Sequence, residues 1–263
     1  MAVLEITGDD TMKTDLNLAV LIDGDNIPSK YIKEMMEEIA KYGIPSIKRI
    51  YGDWTKPHLS KWKNILLENA IQPIQQYGYT QGKNATDSAM IIDAMDILYE
   101  GKTDGFCLVS SDSDFTRLAT RLRESSQKVI GIGEQKTPDP FIVACDKFIY
   151  LEILHEEDED TKRPKNKKQQ KRAVQNVTPK IIKLIRQSIY DCADDDGWAF
   201  LGDVGSLINK KQPNFDPRNF GFYKLTPLID SIGDFTIEER QAPNSRSKHI
   251  FVKNNQKKNG KNN

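Results

Sequence analysis

The 263-residue sequence has few cysteines, few histidines, no long apolar run and no net charge. Its three cysteines (Cys107, Cys145, Cys192) stand far apart and form no CxxC pair. That excludes the common zinc spacings and a disulfide framework. A reducing cytosol is the expected setting, hence a cytoplasmic location. His58, His155 and His249 are isolated from one another, so no histidine chemistry is assigned. No apolar run reaches the roughly 18–20 residues of a membrane span, and no membrane partner is expected. The opening residues MAVLEITGDDTMKTD are acidic and lack an apolar core, so no secretory signal is expected. GYTQGKN (78–84) combines glycine and lysine, but its spacing is not that of a P-loop and Asn84 follows the lysine. A P-loop is therefore excluded. Lys83 stays a candidate phosphate contact, with a solvated loop lysine as the equal alternative.

The zero net charge conceals an asymmetry. Residues 1–152 hold 17 Lys+Arg against 23 Asp+Glu, and residues 153–263 hold 21 against 15. The first half is acidic and the second basic, and a basic half suits a polyanionic partner.

What is present is an alternation of short apolar runs and helical stretches. After a disordered tail at 1–16, strands are expected at 18–22, 46–52, 71–77, 106–110 and 128–133. Pro73 argues against regular pairing in the third of these. Helices are expected at 29–42 behind Ser29 as N-cap, at 57–69, from Thr86 as cap to Tyr99, and at 114–125. Trp54 and Trp62 are expected to pack rather than to stack on bases. This alternation implies a domain over 17–153 with a parallel sheet covered on both faces. Residues 154–176 include EEDED followed by KRPKNKKQQKR, too charged to bury a core and expected to be a flexible linker. A second domain is expected over 177–253. Its first helix places Ile181, Ile185 and Ile189 at helical spacing beside Leu184. Helices around 200–210 and 217–231 and a terminal pair of strands complete the outline of a winged helix. Residues 254–263 are expected to be a disordered basic tail.

The chemistry lies in carboxylates from three segments. Asp23 follows the first strand in LIDGDN, and Asp112 and Asp114 follow the fourth in VSSDSDF. Ligands of doubly wound sheets bind outside the carboxyl ends of strands. Asp87 opens the helix TDSAMIIDAMDILYE, where positions 87, 91, 94 and 98 share one apolar face. Helices here run antiparallel to strands, so all three segments meet at one sheet edge. Gathered carboxylates repel unless a cation compensates, and all-oxygen donors suit Mg²⁺ or Mn²⁺. Such ions activate water and stabilise charge on phosphate. Asn26, Ser110 and Ser111 are supporting candidates. Asp93 is a second-rank candidate, expected like Asp96 to be solvated, and Asp25 either faces solvent or supports Asn26. Each acid also has a plain structural reading, as turn residue or helix cap.

LIDGDNI (21–27), KNATDSAMIID (83–93) and SSDSDF (110–115) resemble the NYN family of PIN-like nucleases, in the family's order, and within it the bacterial LabA-like subgroup. The resemblance covers about residues 17–152 and implies a Rossmann-like α/β/α sandwich and metal-dependent RNA cleavage. It implies Asp23, Asp87, Asp112 and Asp114 as the catalytic, metal-binding acids. Thr86 departs from the family, where a small apolar residue often precedes the helix aspartate. GWAFLGDVGSLI (197–208) and FDPRNFGFYKLTPLID (215–230) resemble the OST-HTH or LOTUS domain, a small winged helix that binds RNA or protein. Arg218, Lys224, Arg246 and Lys248 are its candidate phosphate contacts, and Phe220, Phe222 and Leu225 its expected core.

Two readings stay open from sequence. One is a Mg²⁺- or Mn²⁺-dependent ribonuclease with a C-terminal RNA-binding module. The other is a non-catalytic RNA-binding or adaptor protein with a vestigial acidic site. Single-stranded nucleic acid more generally, a homodimer, and a protein partner at the C-terminal domain stay open as partners. An aspartyl-phosphate phosphatase built on Asp23-Gly24-Asp25 is disfavoured, because the Thr expected two residues after Asp25 is missing.

Overall fold

The structure is a computed structural model that describes residues 15–56, 59, 62–77, 85–154, 173, 175–241 and 248–255. Six strands form one all-parallel sheet: β1 (Asn17–Asp23), β2 (Ile44–Gly52), β3 (Gln72–Gln75), β4 (Gly105–Val109), β5 (Lys128–Gly133) and β6 (Lys147–Tyr150). Their spatial order is β3-β2-β1-β4-β5-β6, a doubly wound sheet in which the strand order reverses between β1 and β4. Central strands are near-continuous apolar runs, and Leu18 through Ile22 are all fully buried, as expected of strands covered on both faces. Pro73 is tolerated because β3 is an edge strand.

The helices α1 (Ile32–Ile39), α2 (Trp62–Glu68), α3 (Ala85–Glu100), α4 (Thr116–Glu124) and α5 (Asp139–Ala144) cover this sheet. Helix α1 buries Ile32, Met35 and Ile39 and, on the same stripe, Glu38. Helix α3 crosses back over β2 and β1. Its buried stripe is Met90, Ala94 and Ile97, whereas Ile91 and Leu98 are half-buried. The expected stripe is thus rotated slightly, with Asp87 still one turn before it. Ser29 makes no side-chain cap bond and opens a short 3-10 turn instead. Strand β6 and helix α5 lie beyond the five-strand expectation. At four and six residues both are too short to show a period. Trp62 is buried, and Trp54 donates its Nε1–H to Ile74 O at 2.9 Å, so both pack within the fold.

A second apolar cluster gathers residues 181–252. It contains α6 (Pro179–Cys192), β7 (Trp198–Phe200), α7 (Leu201–Lys211), α8 (Leu225–Ile232), β8 (Phe235–Gln241) and β9 (Lys248–Asn254). Ile181, Ile185 and Ile189 are buried, as is Phe220. The strands form an antiparallel sheet in the order β7-β9-β8, so the hairpin gains a third, three-residue strand. The charged segment 155–172 lies outside the described residues.

The two clusters meet along β6 and α1. The Phe148 N–H donates to Pro213 O at 2.9 Å, which occupies a backbone donor on an otherwise open sheet edge. Lys147 Nζ reaches Asn209 Oδ1 and Phe215 O, each at 2.8 Å. Arg218 forms a two-pronged pair with the buried Glu38, at 2.7 and 2.8 Å. Its guanidinium also bonds Asp216. Burial alone would raise the Glu38 pKa, but hydrogen bonds from Arg218 and Lys41 hold it at about 2.

Candidate active site

Strands β1 and β4 are neighbours, with Ile22 opposite Val109, so Asp23 and Ser110 emerge together at the carboxyl edge where the sheet reverses. Asp23 is 1% exposed. Its Oδ2 accepts from Asn26 Nδ2 at 2.7 Å and from Ser110 Oγ at 2.8 Å. Its Oδ1 is buried and has no hydrogen-bond partner among the described residues. Burial pushes the Asp23 carboxyl above the usual range, against those two bonds, and Asp25 and Asp112 push it further. Gly24 must lack a side chain, because a Cβ there would stand 2.9 Å from Tyr51 O. Its N–H donates to that same oxygen at 2.9 Å.

The buried Ser110 hydroxyl also accepts from the Asp112 N–H at 3.1 Å, linking Asp23 to the next acid. Asp112 caps the 3-10 turn Ser113–Phe115 by accepting from the Asp114 N–H at 2.9 Å. Asp87, in the first turn of α3, approaches from the other side. Carboxylate oxygens of Asp87, Asp112 and Asp114 all lie within 4.8 Å of one another. Burial, then the charges of Asp23, Asp112, Asp114 and Asp25, push the Asp87 carboxyl up to about 6. Thr86 is not the helix cap: its hydroxyl donates to Asp25 Oδ2 at 3.1 Å. Lys56 stands 3.6 Å from Asp25 Oδ1, so Asp25 supports α3 rather than facing solvent alone.

The family profile of the NYN domain matches residues 17–152, and that of the OST-HTH/LOTUS domain matches residues 174–246. This chain belongs to the NYN family. NYN domains are of the PIN-like nuclease class and OST-HTH/LOTUS domains are of an RNA-binding class, so the chain joins a nuclease-type hydrolase domain to an RNA-binding one. Among solved structures, it is similar to a protein of unknown function from Vibrio parahaemolyticus. That match has 20% identity and a TM-score of 0.44, covering 52% of this chain and 93% of that one. It is also similar to an uncharacterized protein from Nitrosomonas europaea, at 31% identity and a TM-score of 0.29. There 38% of this chain and 91% of that one are covered. No curated protein matches. Among the described residues no helix is long and apolar enough to cross a membrane.

The donor set of the NYN site fits a hard divalent cation. Every ligand candidate is a carboxylate oxygen, three of them converge, and a fourth acid keeps a buried oxygen without a donor among the described residues. Two expected supports lie elsewhere. Ser111 Oγ accepts from the Glu134 N–H at 2.8 Å, tying the loop to the end of β5. Asp93 is neither solvated nor in the cluster, because Arg49 and the Tyr51 hydroxyl both bond its carboxylate. An Arg and a Tyr on alternate positions of β2 are compatible with such a partner, but nothing local names Asp93.

In the OST-HTH domain, Arg218 is committed to Glu38 and Asp216 and is only 18% exposed. It serves the seam between domains, so the phosphate role expected for it is withdrawn. Lys224 is exposed at the start of α8, and Lys248 pairs with Glu239 at 2.7 Å. Lys83 and Arg246 lie outside the described residues. Sequence reasoning missed the aromatic residues of β7 and β9. The alternation Trp198-Ala199-Phe200 was the available signal.

Proposed function

We propose that this protein is a divalent-metal-dependent ribonuclease whose NYN domain hydrolyses RNA phosphodiester bonds while the OST-HTH domain retains the RNA. The observation that carries this reading is the convergence of Asp87, Asp112 and Asp114 beside Asp23, whose buried Oδ1 has no donor among the described residues. Asp23, Asp87, Asp112 and Asp114 would hold Mg²⁺ or Mn²⁺. When bound, such an ion supplies positive charge against the phosphate and activation of a water at neutral pH. The remaining chemistry belongs to the chain. Asn26 and Ser110 clamp one oxygen of Asp23, which leaves the other with a set direction. Ser110 also holds the Asp112 backbone, so one hydroxyl orients two acids. Asp87, whose carboxyl is pushed up to about 6 by burial and the neighbouring acids, holds its proton more tightly than an ordinary carboxyl, and a bound cation would favour its charged form.

The test incubates purified full-length protein with labelled RNA and DNA in Mg²⁺, Mn²⁺ or EDTA, alongside Asp23→Asn and Asp112→Asn. Cleavage of RNA in a divalent salt, absent in EDTA and in both variants, is the expected result. Retained cleavage in both folded variants sinks the proposal. RNA binding without turnover in any metal would establish the adaptor reading instead.

A further inference from the structure

The outward face of the small sheet in the OST-HTH domain departs from ordinary solvated surface. Strand alternation sends Ala199 and Val252 into the core, both essentially unexposed. The opposite face therefore carries Trp198 and Phe200 from β7, with Phe251 and Lys253 directly across on β9. Arg240 of β8 lies opposite His249. These side chains form one connected surface. The Phe200 ring stands 5.2 Å from the His249 ring and 5.9 Å from the Phe251 ring, centroid to centroid. The Arg240 guanidinium lies 4.9 Å from the Trp198 ring and 4.5 Å from the Phe251 ring. Lys253 Nζ lies 5.8 Å from the Trp198 ring. Phe200 is 36% exposed and His249 is exposed. Gly202 makes room for the ring, since a Cβ there would stand 2.6 Å from it.

The chemistry of this surface selects an occupant. An apolar protein surface would have to bury the Arg240–Glu238 pair and the Lys253 ammonium, which is unfavourable. A nucleic-acid duplex shows phosphates outward but keeps its base faces stacked inside, so cations alone would serve it. Unpaired bases use both features. Their faces stack on aromatic rings and guanidinium planes, while their phosphates meet the cations. Within the face itself the charge agrees in sign, while at its rim Lys253 Nζ donates to Asp196 O at 2.6 Å beside the exposed acids Asp194 to Asp196. Glu238 is the single acid among the outward positions described on these strands, and it is already paired with Arg240 at 3.2 Å. In sequence, β9 continues into residues 256–263, which contain Lys257, Lys258 and Lys261 and no acid.

We propose that the outward face of the β7-β9-β8 sheet is a stacking platform for unpaired RNA bases, so that this OST-HTH domain grips single-stranded rather than duplex RNA. The inference rests on reading RNA as the domain's ligand, and it is independent of whether the NYN site cleaves.

The test uses full-length protein in EDTA, so that no turnover intrudes. Binding of a labelled single-stranded oligoadenylate of about 12 nucleotides is followed by fluorescence anisotropy, beside a duplex RNA of the same length. Phe200→Ala is expected to weaken single-strand binding about tenfold, and Phe200→Tyr to retain it. Arg240→Lys, which keeps the charge and removes the plane, is expected to weaken it several-fold. Duplex binding should be weaker in the parent protein and unaffected by these changes. Unchanged single-strand affinity in both Phe200→Ala and Arg240→Lys overturns the platform while leaving the RNA reading intact, and would assign the face to a protein partner or to none. Equal losses on duplex and single strand also overturn it. Failure of the parent protein to bind either RNA removes the RNA reading and the platform together. If Phe200→Ala does not fold, judged by circular dichroism, Arg240→Lys decides the matter alone.

Discussion

Two carboxylates in this molecule are buried almost equally and treated in opposite ways. Asp23, at the carboxyl edge of the sheet, is 1% exposed, and Glu38, at the seam between domains, is 4% exposed. Glu38 receives two cations, Arg218 and Lys41, and its pKa falls to about 2. Among the described residues, Asp23 receives only the neutral donors Asn26 and Ser110, and burial drives its pKa up. The seam satisfies its carboxylate with the chain's own arginine, from 180 residues away. Among the described residues, the edge surrounds its carboxylate with further acids and provides no cation to the unpartnered oxygen. A buried acid with an internal partner contributes to the fold. A buried acid left without one calls for a ligand from outside, or else carries its cost as strain on the fold.

The sharpest way to break this comparison is to neutralise the edge. Asp23→Asn and Asp112→Asn are expected to abolish cleavage while leaving the melting temperature unchanged or raised, because repulsion is relieved. A large fall in melting temperature would assign these acids to the fold and erase the contrast. At the seam the expectation reverses. Arg218→Met leaves Glu38 with Lys41 alone and should cost about 3 kcal/mol in urea denaturation, with cleavage at saturating RNA retained. The seam also has a definite pH signature. The folded pKa of Glu38 is depressed from 4.5 to about 2, so its contribution is complete above 4.5 and is lost as pH falls toward 2. Glu38→Gln should remove that part of the acid dependence, seen in melting curves between pH 5 and about 2.

Adding a divalent cation should make the edge behave like the seam. Mg²⁺ or Mn²⁺ at about 100 times its dissociation constant should stabilise the protein by about 2.7 kcal/mol, measured by thermal melting. Asp112→Asn should blunt the effect, and an equal shift in that variant would mean that the ion binds elsewhere. A smaller change tests the support beneath the acids. Ser110→Ala removes the hydroxyl that orients both Asp23 and Asp112, and should lower cleavage or metal affinity by about 10- to 100-fold. Unchanged activity would mean that the backbone alone holds the acids in place.

Much of this was legible along the chain, and the exceptions share a cause. Strands β1, β2, β4 and β5 and helices α3, α4, α6 and α7 follow from apolar runs and periodicity, since each is long enough to display a period. Strand β7 has three residues, β6 has four and α5 has six, and tertiary contacts decide such short pieces. The acids at strand ends were legible because strand direction alone carries them to one edge. The contacts of Asp93, Ser111 and Arg218 were not legible, because their partners are Arg49 and Tyr51 on β2, the Glu134 backbone, and Glu38 on α1. No local rule names a partner that far away in sequence.

The sequence by itself determined the doubly wound domain, the second helical domain with its hairpin, and which aspartates stand at strand ends and a helix start. Those properties depend on apolar period, on turn chemistry and on the direction of the backbone, all encoded within a few residues. Only the tertiary structure decided that Asp87, Asp112 and Asp114 converge while Asp23 sits buried beside them, that Arg218 closes the seam, and that β7 and β9 align their aromatic rings around Arg240. Each depends on which distant segments pack together. Burial then determines whether a charge is matched within the chain or left for a ligand.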